Sequence, residues 1–163
     1  MKSRIIAIVG LFVVGVSMMA YAQGAPSLQG AWRVTEVVAT GPNAEANKNP
    51  QPGLYVFTKQ HYSIVSVGGT EPRKNLETAG DPAKLTDAEK MARYEAWAPL
   101  TANAGTYEVS GGTLTTRPIV AKNPSVMGQP STREFKIAGK TLTLIQKSAD
   151  GQRTTTTTLT RVE

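Results

Sequence analysis

The sequence predicts an all-β domain, an antiparallel sandwich or barrel, with one short helix set among the strands. Three observations point there. Short runs rich in β-branched and aromatic residues recur along the chain, tight-turn signals separate them, and only one stretch has helical spacing. Two turn signals are compact: Ser110-Gly111-Gly112 and Ala138-Gly139-Lys140 each join two such runs into a hairpin.

Taken in order, the first strand runs from Trp32 to Ala39, behind the turn-like Gln29-Gly30. Asn43 to Pro52 is polar and proline-containing and reads as a loop. Leu54 to Thr58 and His61 to Val67 flank Lys59-Gln60 as a hairpin, and Gly68-Gly69 ends the second of them. Tyr107–Val109, Thr113–Ala121, Thr132–Ile137, Thr141–Lys147 and Arg153–Val162 follow, which brings the expectation to eight strands. The last contains five consecutive threonines, a β-branched residue that packs well on a pleated surface. The helix falls within Pro82 to Trp97, between the third and fourth expected strands. Thr86-Asp87-Ala88-Glu89 is a capping-box pattern with Thr86 as N-cap, Leu85, Ala88, Met91 and Ala92 form an apolar stripe, and Pro99 stops it.

Composition excludes several chemistries. The 163 residues contain no Cys and one His, His61. There is thus no disulfide framework, no thiolate nucleophile, no Cys-ligated metal and no site built on two imidazoles. No metal site and no cofactor are expected. The chain has 18 Lys and Arg against 12 Asp and Glu, but the basic residues are scattered instead of clustered, so no nucleic-acid partner is expected. His61 sits at a hairpin turn without a placed acid and is not assigned a catalytic role.

The first 22 residues read as a secretory signal peptide. Lys2 and Arg4 precede an apolar run from Ile5 to Val16, and Ala20-Tyr21-Ala22 is a small-residue cleavage pattern. The apolar run is short for a membrane span. The expected organisation is a signal peptide over 1–22 and one domain over 23–163, with the protein periplasmic or secreted and touching the membrane only through an uncleaved leader. If Ala22 ends the leader, the intact mass of the exported protein begins at Gln23; recovery of a membrane-embedded chain still starting at Met1 contradicts this.

Several segments carry a family resemblance. Leu28-Gln29-Gly30-Ala31-Trp32-Arg33-Val34 opens the domain, followed by Pro52-Gly53-Leu54-Tyr55-Val56-Phe57-Thr58 and His61-Tyr62-Ser63. Then come Ala104-Gly105-Thr106-Tyr107-Glu108-Val109, Asn123-Pro124 with Gly128, Arg133, and Gly139-Lys140-Thr141-Leu142-Thr143-Leu144. Their order and spacing resemble the bacterial lipocalin-like domain family over nearly all of residues 23–163. The resemblance implies an eight-stranded up-and-down barrel with an internal cavity. It implies a fold more strongly than an activity. Related sequences often carry a His where this chain has Thr115-Thr116-Arg117.

Strand parity nominates the lining of such a cavity, because successive residues face opposite sides. Trp32, Val34, Glu36 and Val38 share one face of the first strand. Tyr55 and Phe57, Tyr107 and Val109, and Arg133, Phe135 and Ile137 share faces of theirs. With the apolar faces inward, Glu36 and Arg133 point inward too, either as an ion pair or, for Arg133, as an anchor for an acidic ligand head; a bulge that turns Glu36 outward is the other option. The candidate ligand-binding residues are Arg133, Glu36, Tyr55, Phe57, Tyr107 and Phe135, with no catalytic residue assigned. Trp32 is expected to plug one end of the barrel. The leading functional expectation is a module that binds a small, mostly apolar or acidic-apolar molecule. The alternatives are an isomerase or hydrolase using Glu36 or Tyr107 as its acid–base group, and a filled barrel with a structural or interaction role.

Overall fold

The computed structural model describes residues 27–73, 75–76 and 80–163; the expected signal peptide lies outside the described residues. The strands are β1 (Gly30–Thr40), β2 (Glu45–Asn47), β3 (Gly53–Phe57), β4 (His61–Val67), β5 (Leu100–Ser110), β6 (Thr113–Ala121), β7 (Ser131–Ala138), β8 (Thr141–Lys147) and β9 (Thr154–Arg161), with helix α1 (Asp87–Trp97) between β4 and β5. All neighbours are antiparallel, and β1 also pairs with β9, which closes the sheet. Eight strands make the barrel wall, and β2 is a short appendage on β1.

Three expectations need correction. The helix follows the fourth strand, not the third, because the polar loop contains β2. Glu45–Asn47 has no strand propensity of its own. It pairs because β1 runs on past its partner β3, which leaves Arg33 as the last residue of that ladder, and so offers an unpaired edge at Val37–Ala39. Strand β5 begins at Leu100 instead of Tyr107. Thr101 to Gly105 is rich in small residues, and it is held extended by pairing with β4 from Leu100 to Thr106, so tertiary pairing overrides weak local preference. The capping box at α1 forms as expected: the Thr86 hydroxyl accepts from the Glu89 amide, and the Glu89 carboxylate accepts from the Thr86 amide. None of the helix's residues is buried, so the expected apolar stripe does not dock into the core.

The two barrel ends differ. Short turns at 58–60, 111–112 and 139–140 gather at one end, together with the segment 27–29. Every long connection, including α1, lies at the other. The short-turn end is sealed by Trp32, which is 0% exposed. Its indole nitrogen donates to the Leu28 carbonyl at 2.8 Å, and the Arg161 guanidinium lies 4.0 Å from its ring centroid. Arg161 also donates to the carbonyls of Ser27 and Gln29, which ties the chain's entry segment to its last strand. Gly30 permits this approach. Its φ is +123°, and a Cβ there would lie 2.4 Å from the Glu163 carbonyl oxygen.

Above this seal the interior is apolar. Phe57, Leu114, Leu142, Leu144 and Leu159 are almost wholly buried, and Tyr62, Ile64 and Leu28 pack against them. Replacing Trp32 by Ala removes the seal, and the expected loss is about 3–5 kcal/mol, the range for a large buried aromatic. A chemical-denaturation midpoint unchanged within error would contradict this placement.

Candidate functional site

The register of β1 decides what the barrel interior contains. Val34 pairs with Leu159, and the next paired residue, Glu36, meets Thr158, so β1 holds one extra residue at Thr35. The Thr35 hydroxyl donates to the Thr158 carbonyl at 3.1 Å across this bulge. Beyond it the alternation is inverted. Val37 and Ala39 pair with Thr157 and Thr155, which lie on the same face of β9 as buried Leu159, and Ala39 is itself buried. Glu36 and Val38 therefore face outward, which corrects the expectation that Trp32, Val34, Glu36 and Val38 share one inward face.

Arg133 keeps its expected side. Along β7, Ser131, Arg133, Phe135 and Ile137 are half-buried and alternate with exposed neighbours. Arg133 pairs across the sheet with buried Leu114. The expected contact between Arg133 and Glu36 does not form; instead the Arg133 Nε donates to the Gln146 Oε1 at 3.1 Å. Gln146 lies on the open half of β8, opposite Thr155, and is exposed. Between β1, β2 and the start of the β4–β5 connection lies a cavity of about 160 Å³ whose lining includes Val37, Ala39, Glu45, Asn47 and Thr155 but none of Arg133, Gln146, Tyr55 and Tyr62.

The hydroxyls of Tyr55 and Tyr62 lie in the field of Arg133. Burial pushes the Tyr55 hydroxyl above the usual tyrosine range, against the opposing pull of Arg133 and of a hydrogen bond with Ser66. Burial raises Tyr62 as well, with Thr116 and Arg133 pulling it down. The Thr116 hydroxyl is engaged by the Ser131 carbonyl at 3.3 Å. The Tyr62 hydroxyl oxygen is buried and makes no hydrogen bond of standard geometry among the described residues. A buried polar atom left unpartnered costs about 1–3 kcal/mol. The polar groups Arg133, Gln146, Tyr55, Ser66, Tyr62 and Thr116 thus form one arc on the inner wall, above the apolar base.

The remaining candidates belong to that base. Phe57 and Tyr107 meet edge to face at 5.3 Å between centroids, and both pack in the core cluster with Phe135. The Tyr107 hydroxyl donates to the Thr58 carbonyl at 2.7 Å. The two side chains considered as an acid–base group are therefore placed elsewhere: Glu36 on the outer face, and Tyr107 bound to backbone. His61 is exposed at the start of β4, and Arg117 pairs on the surface with Glu108 at 2.8 Å. Among the described residues no cluster of His, Asp and Glu could hold a metal ion. Tyr62, Ser66, Thr116 and Gln146 were not among the sequence candidates. Parity with Ile64, Leu114 and Leu144 was the available signal, since each shares an inward face with one of them.

A closed eight-stranded up-and-down barrel, plugged by a tryptophan at one end and polar at the other, defines a calyx-like fold. The lipocalin-like domain model matches residues 29–162, and the chain belongs to that family. It is similar to the crystal structure of a lipocalin-like protein from Bacteroides uniformis ATCC 8492, at 14% identity and a TM-score of 0.46, over 82% of this chain and 97% of that one. It is also similar to the structure of an uncharacterized protein from Bacteroides eggerthii DSM 20697, at 10% identity and a TM-score of 0.45, over 83% of this chain and 99% of that one. No curated protein matches the chain.

Two outcomes follow from the arc. A tyrosine whose folded pKa is raised holds its proton more tightly when folded than when unfolded. Its contribution is complete below the ordinary value of about 10 and is lost as pH rises through the raised folded value. Thermal stability should therefore fall above about pH 10, and less steeply in a Tyr55→Phe variant; identical alkaline slopes would contradict the burial of this hydroxyl. Because Glu36 and Arg133 do not meet, the stability changes of Glu36→Gln and Arg133→Met should add to within about 0.5 kcal/mol. A double variant markedly more stable than that sum predicts would reveal an ion pair.

Proposed function

We propose that this protein is a periplasmic or secreted carrier of a small, mostly apolar molecule bearing an acidic or strongly accepting head, held at the open end of the barrel. The observation that carries this reading is the buried hydroxyl of Tyr62, which makes no hydrogen bond of standard geometry among the described residues and lies near Thr116 in the field of Arg133. A buried hydroxyl beside a cation whose hydrogen-bond partner is a neutral amide suits an acceptor arriving from outside. The head would accept from the Arg133 guanidinium and the Tyr62 hydroxyl. The apolar part would rest against the half-buried Phe135 and Ile137, which share the Arg133 face of β7, where burial contributes roughly 25 cal/mol per Å² of apolar surface. Membership in the lipocalin-like family supports a small-ligand role at this coarser level.

The test sets stability against binding. Tyr62→Phe removes an unsatisfied buried oxygen and should leave the ligand-free protein equally or more stable. The same change should weaken binding of the small molecule identified by mass spectrometry of the purified protein. Arg133→Met should weaken an acidic ligand by about 1.5–3 kcal/mol, the value of a hydrogen bond to a charged group. Unaltered affinity in both variants would place the ligand elsewhere. A clear loss of stability in Tyr62→Phe would show that the hydroxyl is already satisfied by the protein.

A further inference from the structure

A further concavity lies outside the barrel interior. On the outer wall, where β1 parts from β3, lies a groove of about 720 Å³, a volume in the range of small-molecule sites. Its floor is continuous across four strands. Arg33 pairs with Leu54, Leu54 with Val65 and Val65 with Ala102, so these residues form one row on the outward face. Val67 and Leu100, also paired, make a second row beside it. Leu54 and Val65 are 45% and 46% exposed, a directly paired apolar couple on a face that in a one-sided barrel is ordinarily polar. Pro50 and Pro52, from the connection between β2 and β3, also line the groove.

Its charge is one-sided. Arg33 and Arg73 both line the groove, and no Asp or Glu is among its lining residues. The Arg33 side chain makes no hydrogen bond or ion pair among the described residues. Arg73 is engaged: its Nε donates to the Ala96 carbonyl at 3.1 Å and its guanidinium lies 5.6 Å from the Trp97 ring centroid, at the C-terminal end of α1. One uncommitted cation thus stands at the β1 end of an apolar row, and a second, already anchored, stands at the α1 end, where its aliphatic stem can cover bound apolar matter.

We infer that this outer groove is a second ligand site, distinct from the barrel interior, for a free single-chain amphiphilic anion such as a fatty carboxylate. The carboxylate meets Arg33 and the chain lies along Leu54, Val65, Val67 and Leu100 toward Arg73. A hydrogen-bonded guanidinium–carboxylate contact supplies orientation, and exposed Leu54 and Val65, with half-buried Val67 and Leu100, supply the apolar surface to be covered.

The probe is dodecanoate below its micellar concentration, followed by calorimetry, with dodecanol as the uncharged chain of equal length. Arg33→Gln should weaken dodecanoate about tenfold or more and leave dodecanol unchanged. Leu54→Asp should abolish binding of both, while the melting temperature stays near that of the parent because the side chain is on the surface. Arg133→Met, which alters the barrel interior, should leave dodecanoate affinity within twofold. Binding that is lost in Arg133→Met and kept in Arg33→Gln would put the chain inside the barrel and overturn the outer site. So would binding only to anionic vesicles and not to the monomeric probe, or a concentration-dependent dimer that Leu54→Asp disrupts and dodecanoate does not affect. Because the interior and outer variants are separate, failure of either site leaves the other independently testable.

Discussion

The pairing of β1 with β9 is the constraint on which the structure depends. It converts an open sheet into a barrel and so removes the long unpaired edges that such a sheet would expose. It also delivers Arg161 onto Trp32, since these two residues are direct partners in the ladder. A cation over the face of a shielded indole contributes about 0.5–2 kcal/mol beyond the apolar burial of the ring. The same guanidinium binds the backbone of Ser27 and Gln29, so the first and last segments of the domain are secured by one side chain.

That ladder contains the bulge at Thr35, and the bulge sorts the charges. With unbroken alternation a carboxylate would enter the barrel on β1, above Trp32 and Val34. Burying it beside Arg133 would have made a structural pair, in which desolvation of two ions offsets much of their attraction. The extra residue instead sends Glu36 outward and brings Val37 and Ala39 in. Arg133 is left in a half-buried, solvent-reachable position beside a neutral amide and two tyrosines. The base of the barrel is apolar and the open end is polar. The wall is also uneven outside: the parting of β1 from β3 that creates the β2 edge opens the groove at Arg33.

Much of this was legible in the residues. The eight wall strands followed from β-branched runs and turn glycines, and the capping box located α1 because Thr86 and Glu89 satisfy each other's backbone amides locally. Trp32 as the plug followed from its place in the opening motif. What stayed hidden was non-local. Glu45–Asn47 becomes a strand only because β1 overruns β3, and Thr101–Gly105 is extended only because β4 holds it. The bulge at Thr35 has no composition signal, since Thr-Glu-Val-Val alternates acceptably in either register. A single unseen residue moved Glu36 across the wall, while Arg133, on an unbulged strand, was placed correctly by parity. Tyr62 and Gln146 were readable by the same parity but lacked a charge to draw notice.

The central claim is the inverted register beyond Thr35, and the absence of cysteine from the chain permits a direct measurement. Single variants Glu36→Cys and Val37→Cys can be labelled in the folded state with a bulky thiol reagent. The account predicts fast labelling at position 36, where the side chain lies outside the wall, and slow labelling at position 37, which faces the interior. Slow labelling at 36 with fast labelling at 37 would restore the uninterrupted alternation, place Glu36 inside with Arg133, and contradict the account.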